Sequence, residues 1–447
     1  MTTQQFRRPG PIARPPATAG GKIAIDPPIP APIPPPRSVW GIVLPIVLIV
    51  GVIGFIVAMY MSGMRSFASG FGIFGIMMLI GMAGMLFRGR GAAQKMSWGE
   101  LRQYRANYFA RQDDVRDEIE VQRRAQFDHR EHFHWEPAKL VAAVGTERMW
   151  ERSPSSDEFG EVRVGVGKVK LAMTIEKPKI PEASQIEPAT GHALRKFLLE
   201  QEYIDDMAKV IWLQRFAGVS FIGDMDEARA LLRAMVCQLA AFHSPADLQI
   251  LVVSDAPSVW DWTKWLPHMQ HHSKRDGCGE RRLLFSSPAQ LEEFFDEAEL
   301  PRSEWTPPAS GLHGAGNTAL PFRVIIDDNC GTPEDWAGLT GSAGYAGTCF
   351  VRLAPSVPPP SPHDAFGTKS WIGFSPETTY RLVGGALRKR LPAEDLTPFS
   401  GVQHPSSDEL DDAFYAKADQ LSITAAERFA RAMARFRASG GVTTVTD

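Results

Sequence analysis

Val219-Ser220-Phe221-Ile222-Gly223-Asp224-Met225-Asp226-Glu227-Ala228 is the stretch that decides the fold. Val219–Ile222 is a short apolar run of the kind that forms a buried strand. Gly223–Glu227 is a turn, and Ala228–Phe242 carries the apolar periodicity of a helix. Leu248–Val253 supplies a second apolar strand, Val324–Ile326 a third, and Thr348–Leu353 a fourth. Strands alternating with helical segments predict an α/β domain with a largely parallel sheet.

A strand, a turn and then a helix is where a nucleotide-binding fold places its phosphate loop. The loop pattern G-x-x-x-x-G-K-[ST] occurs nowhere in the chain. Gly223 and Asp224 stand at that turn, so a carboxylate is found where phosphate requires backbone amides and a lysine. Val324-Ile325-Ile326-Asp327-Asp328 has the form of a magnesium-holding strand. Gly223, Asp224, Asp327 and Asp328 are therefore the candidate nucleotide or magnesium residues, in a degenerate setting. Mg-ATP is the one cofactor they could take. Gly165-x-Gly167-Lys168 continues a strand into Val169-Lys170-Leu171 and not a helix, so it reads as no phosphate cradle.

Further out, Glu136-Pro137 separates this region from a preceding helix. Ser97 and Glu100 form a capping box for that helix, which is expected to run to about Arg130 as a stalk about 51 Å long. Leu101, Tyr104, Tyr108, Val115 and Ile119 form its narrow apolar stripe, a candidate partner-binding face or the packed side of a solvated spacer. Ala193–Glu200 and Ile204–Trp212 read as helical, and Val162–Val166 as a strand. Thr424 and Glu427 suggest the cap of a last helix ending at Gly440-Gly441.

Ser38–Met64 and Ser66–Phe87 are two uncharged stretches interrupted only by Arg65. A bilayer core needs about 20 apolar residues per helix, so both qualify as spans of a membrane hairpin. Arg and Lys flank the hairpin on its outer ends, which places both termini in the cytoplasm. Residues 1–37 hold 11 of the 35 prolines and read as an extended or disordered tail. The resulting division is a tail at 1–37, a hairpin at 38–87 (spans 38–62 and 66–87), a stalk at 88–134, an α/β domain at 135–440, and a tail or linker at 441–447.

The chain of 447 residues has a formal charge of −3, yet 42 basic and 50 acidic residues follow Arg65, a net of −8. That excludes gripping a nucleic-acid backbone by bulk charge. Four cysteines without a C-x-x-C pattern exclude a disulfide scaffold and predict reduced thiols. The histidine groups His129, His132, His134 and His268, His271, His272 match no zinc spacing, so no metal is assigned. No catalytic residue is assigned, because neither G-x-S-x-G nor H-E-x-x-H occurs. The three tryptophans of Trp260-Asp261-Trp262-Thr263-Lys264-Trp265 read as a core or edge cluster, or as a partner surface.

Several islands taken in order resemble a known family. They are Phe87-Arg88-Gly89 after the double span, Ala143-Val144-Gly145-Thr146-Glu147-Arg148-Met149-Trp150-Glu151-Arg152, Val162–Gly167, Ile186–Gly191, Cys237–Ala240 and Trp260–His268. They resemble the EccC membrane ATPases of mycobacterial type VII (ESX) secretion systems, of the FtsK/SpoIIIE type, over almost the whole chain. The resemblance implies an inner-membrane motor component whose stalk meets EccB, EccD and EccE homologues. It implies hexameric assembly with other EccC copies and export of WXG100-type proteins by ATPase domains that follow. The α/β region corresponds to the family's degenerate P-loop, RecA-like domain, which leaves ATP hydrolysis by these residues an open question. A DNA-translocase front end and an active nucleotide-binding domain are the competing readings.

Overall fold

The computed structural model describes residues 4–6, 20–31, 47, 50, 51, 54, 57, 61, 98–179, 182, 185–277, 279–298, 302–307, 321–341, 343–356, 372, 375, 377–389 and 413–438. The second span, the stalk before Trp98 and residues 441–447 lie outside them. In the first span, Val47, Val50, Gly51, Gly54, Val57 and Met61 are helical and exposed. Among the described residues no helix is long and apolar enough to cross a membrane.

The chain divides into two compact units, residues 22–118 with 175–200, and residues 1–21, 119–174 and 201–447. The larger unit is built on a ten-stranded sheet. In chain order its strands are β3 (Glu161–Lys170), β5 (Tyr203–Trp212), β6 (Gly218–Gly223), β7 (Leu248–Val253), β10 (Leu284–Phe285), β11 (Phe322–Asp328), β12 (Thr348–Ala354), β13 (Thr379–Val383), β14 (Ala386–Lys389) and β15 (Ala413–Ala418). Across the sheet the order is β10-β7-β11-β12-β6-β13-β14-β15-β3-β5. The first six strands are mutually parallel, as the four apolar runs predict. Every residue of β7, β11 and β12 is buried, which is why these strands are dominated by apolar residues. The first run is extended to Gly218–Gly223, and its helix α3 spans Met225–Phe242.

The other four strands form an antiparallel extension, of which the sequence pattern reveals only β3, as Val162–Val166. Ile204–Trp212, expected as a helix, is strand β5. The cause is a bulge. Val169 pairs with Ile204 and Gly167 with Met207, so β5 carries an extra residue there, and Asp206 sits at φ 55°. The bulge turns Ile204, Met207, Ala208 and Ile211 inward, a spacing that imitates a helical period. Gly165 and Gly167 are glycines for proximity: a Cβ at either would lie 2.1 Å from the Lys417 carbonyl oxygen or 2.5 Å from that of Tyr415.

The last helix, α6 (Ile423–Met433), is capped by Ser422, whose hydroxyl accepts from the Ala425 amide, and not by Thr424. It ends at Met433, short of Gly440, because the chain turns into strand β16 (Phe436–Ala438). β16 pairs in parallel with β1 (Gln4–Phe6), so the proline-rich tail holds an ordered strand near its start.

The smaller unit packs the first part of the stalk helix α1 (Trp98–Phe133) with helix α2 (Pro188–Gln201) and tail residues 22–31. Glu187 caps α2 through the Ala189 and Thr190 amides and binds Arg105. Pro30 bridges to Ile186, and Arg111 reaches Asp26 at 2.8 Å. Leu101 and Tyr108 are buried here, and Ile119, in the larger unit, is fully buried. Val115 is half-buried and Tyr104 is 54% exposed. The chain's own segments therefore cover most of the apolar stripe, and Tyr104 is its one member open to a partner.

Candidate functional site

Gly223, Ser254 and Asp328 lie at the carboxyl edge of the parallel strands, where α/β sheets bind ligands. Gly223 has φ 138° and passes so close to β13 that a Cβ would lie 2.2 Å from the Leu382 carbonyl oxygen. Asp224 caps α3. Its Oδ1 accepts from the Asp226 amide at 2.9 Å and the Glu227 amide at 3.0 Å. Those amides are the donors that a phosphate would use, and the protein's own carboxylate takes them. Glu227 turns away to accept from the Gly385 amide at 3.0 Å.

Asp327 and Asp328 are adjacent on a strand and are held in different surroundings. The Asp328 carboxylate has no exposed surface and is fully engaged. Arg229, in the second turn of α3, grips it with its Nε at 3.0 and 3.3 Å and its Nη2 at 3.2 Å. Ser254 Oγ and Trp260 Nε1 each donate to it at 2.8 Å. Asp327 accepts from Arg352 Nη1 and from the Cys330 amide, both at 2.9 Å. Burial pushes its carboxyl up to about 6, against the pull of Arg352. Arg352 stacks over Trp336 and Phe350. One metal could not draw on both carboxylates, and Asp327 serves the turn after β11, where Asn329 has φ 55° and Gly331 φ 81°.

The residues do not fit Mg-ATP. Asp224 fills the anion position at the helix start, Arg229 supplies the positive charge beside Asp328, and no lysine faces the turn in the quoted stretch. Arg229, Ser254 and Trp260 complete the site, and their link to Asp328 is not readable in the sequence, because Asp328 lies 99, 74 and 68 positions from them. The tryptophan run is thus largely core: Trp260 and Trp262 are buried, and Trp265 lies under the Arg431 guanidinium at 4.6 Å.

The second cluster joins the stalk helix to this domain. Three arginines meet the carbonyls at the carboxyl end of α1. Arg148 donates to His132 O at 2.7 Å, Arg152 to Phe133 O, and Arg163 to His134 O at 3.2 Å. A helix end exposes unpaired carbonyls and partial negative charge, and guanidinium groups satisfy both. Arg152, 1% exposed, also donates to Glu161 O at 2.7 Å and Glu158 O at 3.3 Å. Arg163 forms an ion pair with Asp419 at 2.8 Å.

The Arg148–Arg152 island also caps α3. The Trp150 amide donates to Ala241 O and its indole to Ala240 O, and the Arg152 amide donates to Phe242 O. Trp150 takes φ 60° to do so, a left-handed conformation that few bulky residues adopt. One island therefore binds the far end of α3 to the near end of the stalk.

His134 is buried in this joint, 3.0 Å from Glu161. Burial pushes its imidazole down to about 3, only partly offset by Glu161. His268, which bonds to His243 O at 2.8 Å, is pushed by burial down to about 4. Both rings are neutral in the fold, and their contribution to stability is complete above the unfolded value of about 6.5. It falls away as pH drops toward the folded values, by about 1.4 kcal/mol per ring for each pH unit. Urea unfolding at pH 7.0 and 5.0 is expected to show this loss, and His134→Gln should remove about half of it. His129 and His132 meet the Phe133 ring edge-on. Among the described residues no three His, Cys, Asp or Glu side chains gather as metal ligands. Cys237, Cys330 and Cys349 are free and buried, and Cys278 lies outside the described residues.

A ten-stranded sheet with a parallel half, a strand, turn and helix at its carboxyl edge, and a strand ending in paired aspartates define a mixed α/β domain. No family model matches the chain. The chain belongs to the EccC family of ESX (type VII) secretion proteins. It is 31% identical to ESX-5 secretion system protein EccC5 of Mycobacterium tuberculosis over 97% of its length and 30% of that relative. It is 31% identical to ESX secretion system protein EccC of Thermomonospora curvata over 82% of its length and 25% of that relative. The chain thus spans about 30% or less of these relatives. The solved cytoplasmic domain of the Thermomonospora curvata type VII secretion ATPase EccC aligns with 63% of this chain and 32% of its own, with TM-score 0.29 and 13% identity, too slight a likeness to argue from.

Proposed function

We propose that this chain anchors and couples the motor of a type VII secretion complex, and does not itself turn over nucleotide. The observation that carries the reading is the joint at Arg148–Arg152, which fastens the stalk helix to the domain's central helix through two capped helix ends. A solvated spacer would need no such joint. The filled turn at Asp224 supports a domain that transmits position and not chemistry.

In this reading residues 38–87 are a hairpin in the inner membrane with both termini in the cytoplasm. Helical, exposed Val47, Val50, Val57 and Met61 support the first span. The partners are EccB, EccD and EccE homologues and other copies of the chain in a hexamer. WXG100-type proteins are the cargo of ATPase domains elsewhere in the assembly. Gentle detergent extraction of the tagged chain is expected to co-purify EccB, EccD and EccE homologues. A monodisperse monomer would count against this reading, and salt-dependent DNA binding would favour a DNA translocase.

A further inference from the structure

We propose that residues 4–6 are a detachable strap that gives the segment Phe436–Ala438 its strand conformation. The proposal stands apart from the functional reading above. Among the described residues, β16 pairs with no strand other than β1. Gln4 lies opposite Phe436, Gln5 opposite Arg437 and Phe6 opposite Ala438, and the Gln4 amide donates to Arg435 O at 2.7 Å. A ribbon of two three-residue strands is not stable by itself, so it must be held by an anchor.

Phe6 is that anchor. Gln4 and Gln5 are exposed, whereas Phe6 sets its ring edge-on to Trp150 at 5.5 Å and to Phe436 at 5.7 Å. The socket is made by the surrounding chain. Phe436 is 3% exposed and packs on Gly145, where a Cβ would stand 3.0 Å from its ring. Trp150 belongs to the island that fastens the stalk, and Phe436 begins the strand that follows the last described helix. One aromatic ring thus ties residues 4–6 both to the stalk joint and to that strand. A single ring holding three backbone pairs is a reversible attachment, so the strap can release without unfolding the sheet.

Two experiments on the full chain test this. In a Cys278→Ser background, Gln5→Cys with Arg437→Cys is expected to form an intrachain disulfide under mild oxidation. No crosslink, or crosslinks only between chains, would overturn the proposal. Hydrogen exchange at residues 436–438 should accelerate at least tenfold in Phe6→Ala, while Leu248–Val253 keep their protection. Adding a peptide of residues 1–12 to a chain lacking them should restore the slow exchange. Unchanged protection at 436–438 after that deletion would overturn the proposal. Should Phe6→Ala unfold the domain, the crosslink still decides.

Discussion

Arg229→Met is expected to destabilise the larger unit by about 3 kcal/mol, read as a lowered urea midpoint. The Asp328 carboxylate has no exposed surface, and Arg229 is its cationic partner among the described residues. Without it the carboxylate keeps only the Ser254 hydroxyl and the Trp260 indole, both neutral donors. A buried charge stripped of its partner costs several kcal/mol, and the partial exposure of Arg229 places the effect at the lower end. Adding Asp328→Asn should recover most of the loss, because the amide still accepts from both neutral donors and carries no charge. The double-mutant cycle should show a coupling above about 1 kcal/mol. Additive losses would mean that Arg229 and Asp328 are not the pair described.

Arg152→Met is expected to cost about 4 kcal/mol and to loosen the end of the stalk. Arg152 satisfies three carbonyls, those of Phe133, Glu158 and Glu161, and its guanidinium lies over the Phe242 ring at 5.0 Å. Each buried acceptor left without a donor costs about 1–3 kcal/mol. Methionine fills much of the volume, so most of the loss should come from these acceptors. Arg152→Lys should recover less than half, because an ammonium cannot span three carbonyls in the plane that a guanidinium covers. Hydrogen exchange at residues 128–134 should rise in both variants, with little change in Leu248–Val253.

The parallel half of the fold was legible because its strands are buried on both faces and read as apolar runs between helical segments. Of the antiparallel half only β3 was, as Val162–Val166. β13, β14 and β15 are short and only partly buried, and the bulged β5 spaces its apolar residues like a helix. At the site, sequence located the turn and the paired aspartates, and the missing phosphate loop was evident. What fills the place was not evident, since Arg229, Ser254 and Trp260 reach Asp328 only through folding. The Arg148–Arg152 island stood out as a resemblance. Its physical reason, two helix ends capped at once, depends on long-range packing that local propensity does not encode. The tail's proline content concealed two docked segments: Phe6 anchors the first, and the second buries Ile23 and Ile25, pairs Asp26 with Arg111 and bridges at Pro30.

At the turn after β6 the protein's own side chains take the amides and supply the charge that a bound phosphate would need. Isothermal titration of Mg-ATP into the detergent-purified full chain tests it most directly. The expected result is no saturable heat at millimolar nucleotide, with Asp327→Ala giving the same flat trace. Saturable binding that Asp327→Ala abolishes would contradict it.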